Sequence, residues 1–194
     1  MKIMEIDKNI KYSKIEKMDL ITVDAQRVNL AVDIYFHWKQ LDAEIRTLSG
    51  TRGINFPSEI SEYLACYALG YKVNKATGGD AVDDSDPNNK RIIEIKGSSA
   101  QSLTAPNSFS PSEFFDELVF VRLEKYDDSL KIYKTGINSE SIKNIKVNKS
   151  ETFEEQQKQG RRPRFSIHKE IIEKYDLTPD YVFLLRDKKV CKIK

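Results

Sequence analysis

Residues 78–99 read GGDAVDDSDPNNKRIIEIKGSS, and this stretch decides how the rest of the chain is understood. Gly78-Gly79 interrupts any regular element before it, and the Asp86-Pro87-Asn88-Asn89 cluster reverses the chain. Between and beyond these breaks lie two short strands, one starting at Asp80 and one running from Arg91 to Gly97, which a reversal near Pro87 makes antiparallel. Side chains alternate along a strand, so Glu94 and Lys96 share one face while Ile93 and Ile95 occupy the other and enter the core. Two acidic groups and an ammonium are then gathered at one end of a hairpin. Like charges that close raise a pKa or recruit a cation.

Which aspartate joins Glu94 is open at this level. If Val82 packs with Ile93 and Ile95, strict alternation puts Asp83 on the face of Glu94; a bulge or twist at Gly78-Gly79 puts Asp80 there instead. Either carboxylate with Glu94 and the backbone carbonyl of Ile95 makes an all-oxygen site that suits magnesium, with phosphate as a co-ligand. A metal there stabilises charge on a phosphate, and Lys96 serves the attacking water. The arrangement fits phosphodiester hydrolysis.

Working outward on the N-terminal side, Tyr71 to Thr77 alternates as a strand, and FPSEISEYLACYALG before it reads as a helix opened by Pro57-Ser58 and closed by Gly70. Further upstream Asp24 caps a helix over 25–50, with apolar residues at Val28, Ile34, Trp38, Leu41, Ile45 and Leu48. That stripe suits covering a core, and the seven-residue repeat of Ile34, Leu41 and Leu48 also suits dimerisation. On the C-terminal side a polar loop follows Lys96, and then DELVFVRLEKY and SLKIYKTG form two strands joined at Asp127-Asp128. The tract 138–159 is polar and predicts a mobile loop or exposed helix. HKEIIEKYD reads as a helix, and YVFLLRD with VCKIK as a closing hairpin.

The 194 residues suffice for one core and contain no internal repeat. Hydrophobic residues make up 39% and charged residues 32%, which excludes disorder throughout. A net charge of +2 identifies no polyanion partner by itself, but the distribution is uneven. Acids crowd Asp80 to Asp86, whereas KQGRRPRFSIHK, from Lys158 to Lys169, contains none. A Pro-stiffened run with Arg161, Arg162 and Arg164 suits DNA, since arginine forks onto guanine O6 and N7 and also neutralises phosphates. Ser98 and Ser99, just past Lys96, and His168, just past the basic run, are further candidates for DNA contact. Two distant cysteines make no zinc pattern, no stretch spans a membrane, and MKIMEIDKNIKY has no signal-peptide core, so a cytoplasmic protein is expected.

An Asp opening one strand, a turn, and Glu-x-Lys on the next, with a helix before them, resembles the PD-(D/E)XK nuclease superfamily, and GDAVD with EIK is similar to its type II restriction endonucleases. Gly79 stands where the name-giving proline would be. SEISEYLACYALG, FFDELVFVRL and QQKQGRRPRFSI resemble a small group of restriction enzymes that recognises GCNGC, over roughly residues 52–169. The resemblance implies an α/β, restriction-endonuclease-like core with a central mixed β-sheet flanked by helices. By it Asp80 and Glu94 bind Mg2+, Lys96 serves the water, and Glu59 or Glu62 is an extra carboxylate. It also implies a homodimer on double-stranded DNA, because cutting both strands of a palindrome needs two sites about a two-fold axis. Products would carry 5′-phosphates, and a cognate methyltransferase would protect host DNA without binding the nuclease. A single nuclease domain over 1–194 is expected, with a helix at 25–50, a catalytic core at 52–135, a DNA-contacting segment at 138–169 and a C-terminal helix and hairpin at 170–194. The rival readings are a structure-specific or repair nuclease of the same superfamily, and a DNA-binding protein without catalysis.

Overall fold

The computed structural model describes residues 11, 13–50, 53–110 and 114–194. The reading of the first residues as lacking a signal sequence lies, apart from residue 11, outside the described residues.

One helix, α1 (Ala25–Ser49), precedes a second, α2 (Ser58–Leu69). Asp24 caps α1 by accepting from the Arg27 N–H at 2.8 Å, and Gly50 closes it by donating to the Arg46 carbonyl at 2.8 Å. The strands are β1 (Leu20–Thr22), β2 (Lys72–Asn74), β3 (Ala81–Asp83), β4 (Arg91–Ser98), β5 (Asn107–Ser108), β6 (Glu117–Glu124), β7 (Ser129–Lys134), β8 (Arg164–Phe165), β9 (Tyr181–Leu184) and β10 (Lys189–Lys192). Eight form one sheet in the order β1-β2-β3-β4-β6-β7-β9-β10. It is mixed: β4 and β6 are parallel and their neighbours pair antiparallel. The other two strands, β5 and β8, pair as a small separate ribbon. The expected α/β architecture, a central mixed sheet flanked by helices, is what forms.

Strand β6 is buried along seven of its eight residues, as a strand covered on both faces must be, and its near-continuous apolar run reflects this. On one face α1 and α2 pack Val32, Tyr35, Ile60 and Leu64 onto Ala81, Ile93, Ile95, Val119 and Val121. Gly97 lets α2 come this close, since a Cβ there would stand 2.5 Å from Ser61 Oγ. On the other face Leu118, Phe120 and Tyr133 are covered by Phe109, Ile142, Ile145, Phe153, Phe165 and Ile171.

That second core overturns one expectation. The tract 138–159 is no mobile or merely exposed segment: Ile142, Ile145 and Phe153 are buried, and Thr152 with Glu155 forms a capping box that starts α3 (Phe153–Lys158). Its polar composition hides three well-spaced apolar anchors, each worth roughly 1.5–3 kcal/mol when buried. The following helical segment, His168–Glu173, is π-helical.

The apolar stripe proposed for α1 is also split. Val28 and Trp38 are buried with Ala31, Val32 and Tyr35, whereas Ile34, Leu41 and Leu48 face outward together with Leu30. The orientation follows from two buried carboxylates. Asp128 accepts from Tyr35 Oη at 2.5 Å and also holds Lys39 Nζ and Arg186 Nη2, the latter at 2.6 Å. Asp42 accepts from the Ile54 N–H at 2.9 Å, Arg46 Nε at 3.0 Å and Lys125 Nζ at 2.9 Å. Together they lock one side of α1 to the sheet and leave the other uncovered.

Candidate active site

The register of the β3–β4 hairpin organises the site. Ala81 lies opposite Ile93, Val82 opposite Ile92 and Asp83 opposite Arg91. It is therefore Ala81, not Val82, that packs with Ile93 and Ile95, while Val82 joins Ile92 and Ile15 in a small cluster on the other face. The premise that favoured Asp83 as the neighbour of Glu94 fails. Alternation sends Asp83 to the face opposite Glu94, at the far end of the hairpin, where Arg91 Nη2 holds it at 2.5 Å and the Ser85 N–H at 3.0 Å. Burial alone would raise the Asp83 pKa, but these two partners outweigh it and hold the carboxyl below its ordinary range. Asp80, the residue before Ala81, is bonded instead to Ile93 and Ile95, the two neighbours of Glu94 on β4.

Asp80 is delivered by Gly78-Gly79, both with positive φ, 105° and 111°. Proline cannot adopt such a φ, and a Cβ on residue 79 would meet Ile92 Cγ2 at 2.5 Å, so glycine before Asp80 is a requirement of this turn. The Asp80 N–H donates to the Ile93 carbonyl at 3.0 Å, and Asp80 Oδ2 accepts from the Ile95 N–H at 2.7 Å. The carboxylate thus occupies the edge of β4 just beyond the start of β3. The N–H and C=O of one strand residue face the same edge, so the Ile95 carbonyl is directed there too.

Asn74 holds the turn from within. Its buried side chain donates to the carbonyls of Ala76 at 3.1 Å and Gly79 at 2.9 Å and accepts from the Ala76 N–H at 3.0 Å, while its own N–H donates to the Asp80 carbonyl at 2.9 Å. These bonds end β2 early, short of the Thr77 expected. Sequence reasoning overlooked Asn74; an Asn two to five residues before a Gly-Gly pair is the signal, because its amide can bridge such a loop.

Glu94 is 2% exposed, and its Oε1 lies 2.5 Å from Lys96 Nζ. Lys96 Nζ also sits over the Phe109 ring, 5.7 Å from its centroid. Glu62 reaches the cluster from α2. Burial and, next, the Asp80 charge push its carboxyl up to about 7, with Lys96 pulling weakly the other way. The same field reaches Cys66, one helical turn along, whose thiol is pushed up by burial, then by Glu62 and Asp80. Glu59 is exposed and turns instead to a groove lined by Arg27, Leu30, Ile34 and Tyr63. Among the described residues, no group of three or more His, Cys, Asp or Glu side chains is arranged to hold a metal ion. The donors present are two carboxylates and a carbonyl, which suit a hard cation that keeps several waters.

The predicted DNA-contacting residues divide. Ser98 ends β4, and Ser99 lines a groove with Lys39, Arg46 and Lys125. Arg161 Nη1 is engaged by Glu151 Oε1 at 3.0 Å and Gln159 Oε1 at 3.1 Å. Arg162 and Arg164 are exposed, the latter on β8. His168 does not join them: it packs beside Phe120, with Nε2 3.5 Å from Glu173, and burial followed by the Arg122 charge lowers its pKa, favouring neutral imidazole.

A family model described as Bsp6I restriction endonuclease matches residues 23–174. The type II restriction enzyme Bsp6I of Bacillus sp. (strain RFL6) is 50% identical over 175 residues, which cover 90% of this chain and 98% of that enzyme. No solved structure matches. The matched span contains Glu62, Asp80, Glu94, Lys96 and the arginine run, and at this identity and coverage the chain belongs to the Bsp6I family of type II restriction endonucleases.

Proposed function

We propose that the protein is a magnesium-dependent homodimeric nuclease of the PD-(D/E)XK type, cutting double-stranded DNA at a short palindrome, GCNGC. The observation that carries this reading is the Asp80 carboxylate on the edge of β4, bonded to the Ile95 N–H at 2.7 Å beside Glu94, with Lys96 Nζ 2.5 Å from Glu94, in a chain of a restriction endonuclease family. Asp80, Glu94 and the Ile95 carbonyl would hold the magnesium. That ion supplies positive charge to the scissile phosphate when bound. Lys96, steadied by Glu94 and Phe109, donates to the attacking water and aligns it with the phosphorus. Water oxygen bonds to phosphorus as the bond to the 3′ oxygen breaks; the attacking water gives up its proton to bulk solvent, and the 3′ oxygen takes a proton from solvent as it leaves. The products are 5′-phosphate and 3′-hydroxyl ends.

Two-fold symmetry of the target asks for two copies. The outer side of α1 offers the surface: Leu30, Ile34, Leu41 and Leu48 are 59%, 42%, 49% and 86% exposed. An adjoining cavity of about 380 Å³, lined by Ala31, Pro57, Ile60 and Tyr63, continues the apolar face onto α2. A second copy would cover this face. The enzyme would act in the cytoplasm beside a methyltransferase that marks host DNA. The test is incubation with methylation-free plasmid containing GCNGC, in magnesium or in EDTA. Discrete fragments formed only in magnesium, with ends ligatable through 5′-phosphates, are expected; intact plasmid under both conditions would refute the proposal.

A further inference from the structure

The core explains the inner face of the two-stranded ribbon, through Phe165, but not its outer face. Strand β5 lies within the loop that follows β4, and β8 lies more than fifty residues later, inside the basic run. Asn107 pairs with Phe165 and Ser108 with Arg164, and the Phe109 N–H donates to the Pro163 carbonyl at 3.0 Å. Alternation gives the ribbon two unlike faces.

The inner face is fastened to the catalytic strand. Asn107 Nδ2 donates to the Gly97 carbonyl at 3.1 Å, one residue beyond Lys96. Phe165 stacks on Phe109, ring centroids 5.2 Å apart and planes 5° from parallel, and Phe109 is the ring beneath Lys96 Nζ. The outer face carries Ser108 and Arg164. Arg164 is exposed and takes part in no ion pair among the described residues, in contrast to Arg161, which is occupied by Glu151. Beside the ribbon runs a polar groove of about 220 Å³ lined by Thr104, Lys146, Arg164, Ser166, Lys169 and Glu170, in which the one carboxylate, Glu170, stands 3.9 Å from Lys169 Nζ and leaves Lys146 and Arg164 to the groove. Its cations come from three separate segments, and Ser166 Oγ ties the groove wall together by donating to the Leu103 carbonyl at 2.6 Å.

We infer that the β5–β8 ribbon enters the major groove of the DNA and that Arg164 reads a base there, while Lys146 and Lys169 hold flanking phosphates. The major groove admits a two-stranded ribbon, and an arginine fork onto guanine is the commonest specific contact within it. Compact ammonium groups on the neighbouring wall fix register without reading sequence. The fastening of the inner face to Gly97, Phe109 and hence Lys96 couples reading to cutting: a correctly seated ribbon carries the catalytic lysine with it. This inference rests on the proposed function and deepens it by naming the element and the residue that select the site.

The experiment compares full-length wild type with Arg164→Ala, Arg164→Lys and Lys169→Ala. The substrates are two duplexes, one containing GCNGC and one with a single G·C pair of that site replaced by A·T. The readout is the ratio of kcat/KM between them in magnesium; a variant too slow to cut either is read as the ratio of Kd values by fluorescence anisotropy in EDTA. Both Arg164 variants should lower the ratio by about 10- to 100-fold, and lysine should not rescue, because it keeps the charge and loses the fork. Lys169→Ala should weaken both duplexes equally and flatten the salt dependence by about one ion. Wild-type cutting with an undiminished ratio in Arg164→Lys, the gentler replacement, overturns this inference alone. Failure of the wild type to cut overturns the proposed function and this inference with it.

Discussion

Replacing Glu62 by glutamine removes a carboxyl whose ionisation the fold opposes. In the folded chain burial, and after it the Asp80 charge, raise this group from 4.5 to about 7. The folded protein therefore holds a proton between those values that the unfolded chain has released. Stability from this source is fully present below about pH 4.5, declines as pH rises and is lost once pH passes about 7. A difference of about 2.5 in pKa, at roughly 1.4 kcal/mol for each tenfold change, sets the penalty at pH 8 at up to about 3 kcal/mol. Glutamine has nearly the same shape and no charge to desolvate. In metal-free buffer Glu62→Gln should match the parent near pH 4.5 and exceed it at pH 8. The expected rise in Tm is about 2–4 °C for each kcal/mol gained in a chain of this size. Thermal melts followed by circular dichroism in EDTA at the two pH values make the comparison. A variant less stable than the parent at pH 8, or a difference that ignores pH, would refute the electrostatic account of the cluster.

Asn74→Ala strips the loop ahead of Asp80 of four side-chain hydrogen bonds and should cost about 1–3 kcal/mol in urea unfolding. Its magnesium affinity, measured by calorimetry, should fall further than that of a surface variant of equal stability. Asp128→Asn leaves Lys39 and Arg186 facing a neutral amide, and a loss of about 3 kcal/mol at pH 7 is expected. Although burial opposes it, hydrogen bonds from Lys39 and Tyr35 keep the Asp128 pKa below 3.8. The parent's advantage is thus present above about pH 4 and should vanish as pH falls further, which acid titration of the two proteins would reveal. In the proposed dimer, Ile34→Asp with Leu41→Asp should halve the mass in sedimentation without unfolding the chain, since both side chains are exposed in one copy; a dimer that persists in this variant would reject α1 as the interface.

Much of this was legible in the sequence because local rules acted alone. The Asp24 cap, the Gly50 and Gly70 stops, the hairpin over 80–98 and the strand pair around Asp127-Asp128 each follow from turn chemistry and alternation within a few residues. The choice between Asp80 and Asp83 stays open in the sequence because register depends on which of two adjacent apolar residues, Ala81 or Val82, meets the helices, and alternation is satisfied by either choice. The burial of Ile142, Ile145 and Phe153 was invisible because irregular segments carry no period to detect. The ribbon was missed for a different reason. Its strands are two residues each and far apart in sequence, so only tertiary pairing defines them. Membership in the family likewise could not come from the hairpin alone, since Glu-x-Lys on a strand is common.

The most direct test of the proposed hydrolytic centre is single-turnover cleavage of a cognate duplex in magnesium by Asp80→Ala, Glu94→Ala, Lys96→Ala and Asp83→Asn. DNA binding is checked for each in EDTA. The first three should bind DNA yet cut at least about 10²-fold more slowly, and Asp83→Asn, whose side chain is turned to Arg91, should stay within about tenfold of wild type. Cleavage that survives in Asp80→Ala and disappears in a folded, DNA-binding Asp83→Asn would contradict the account.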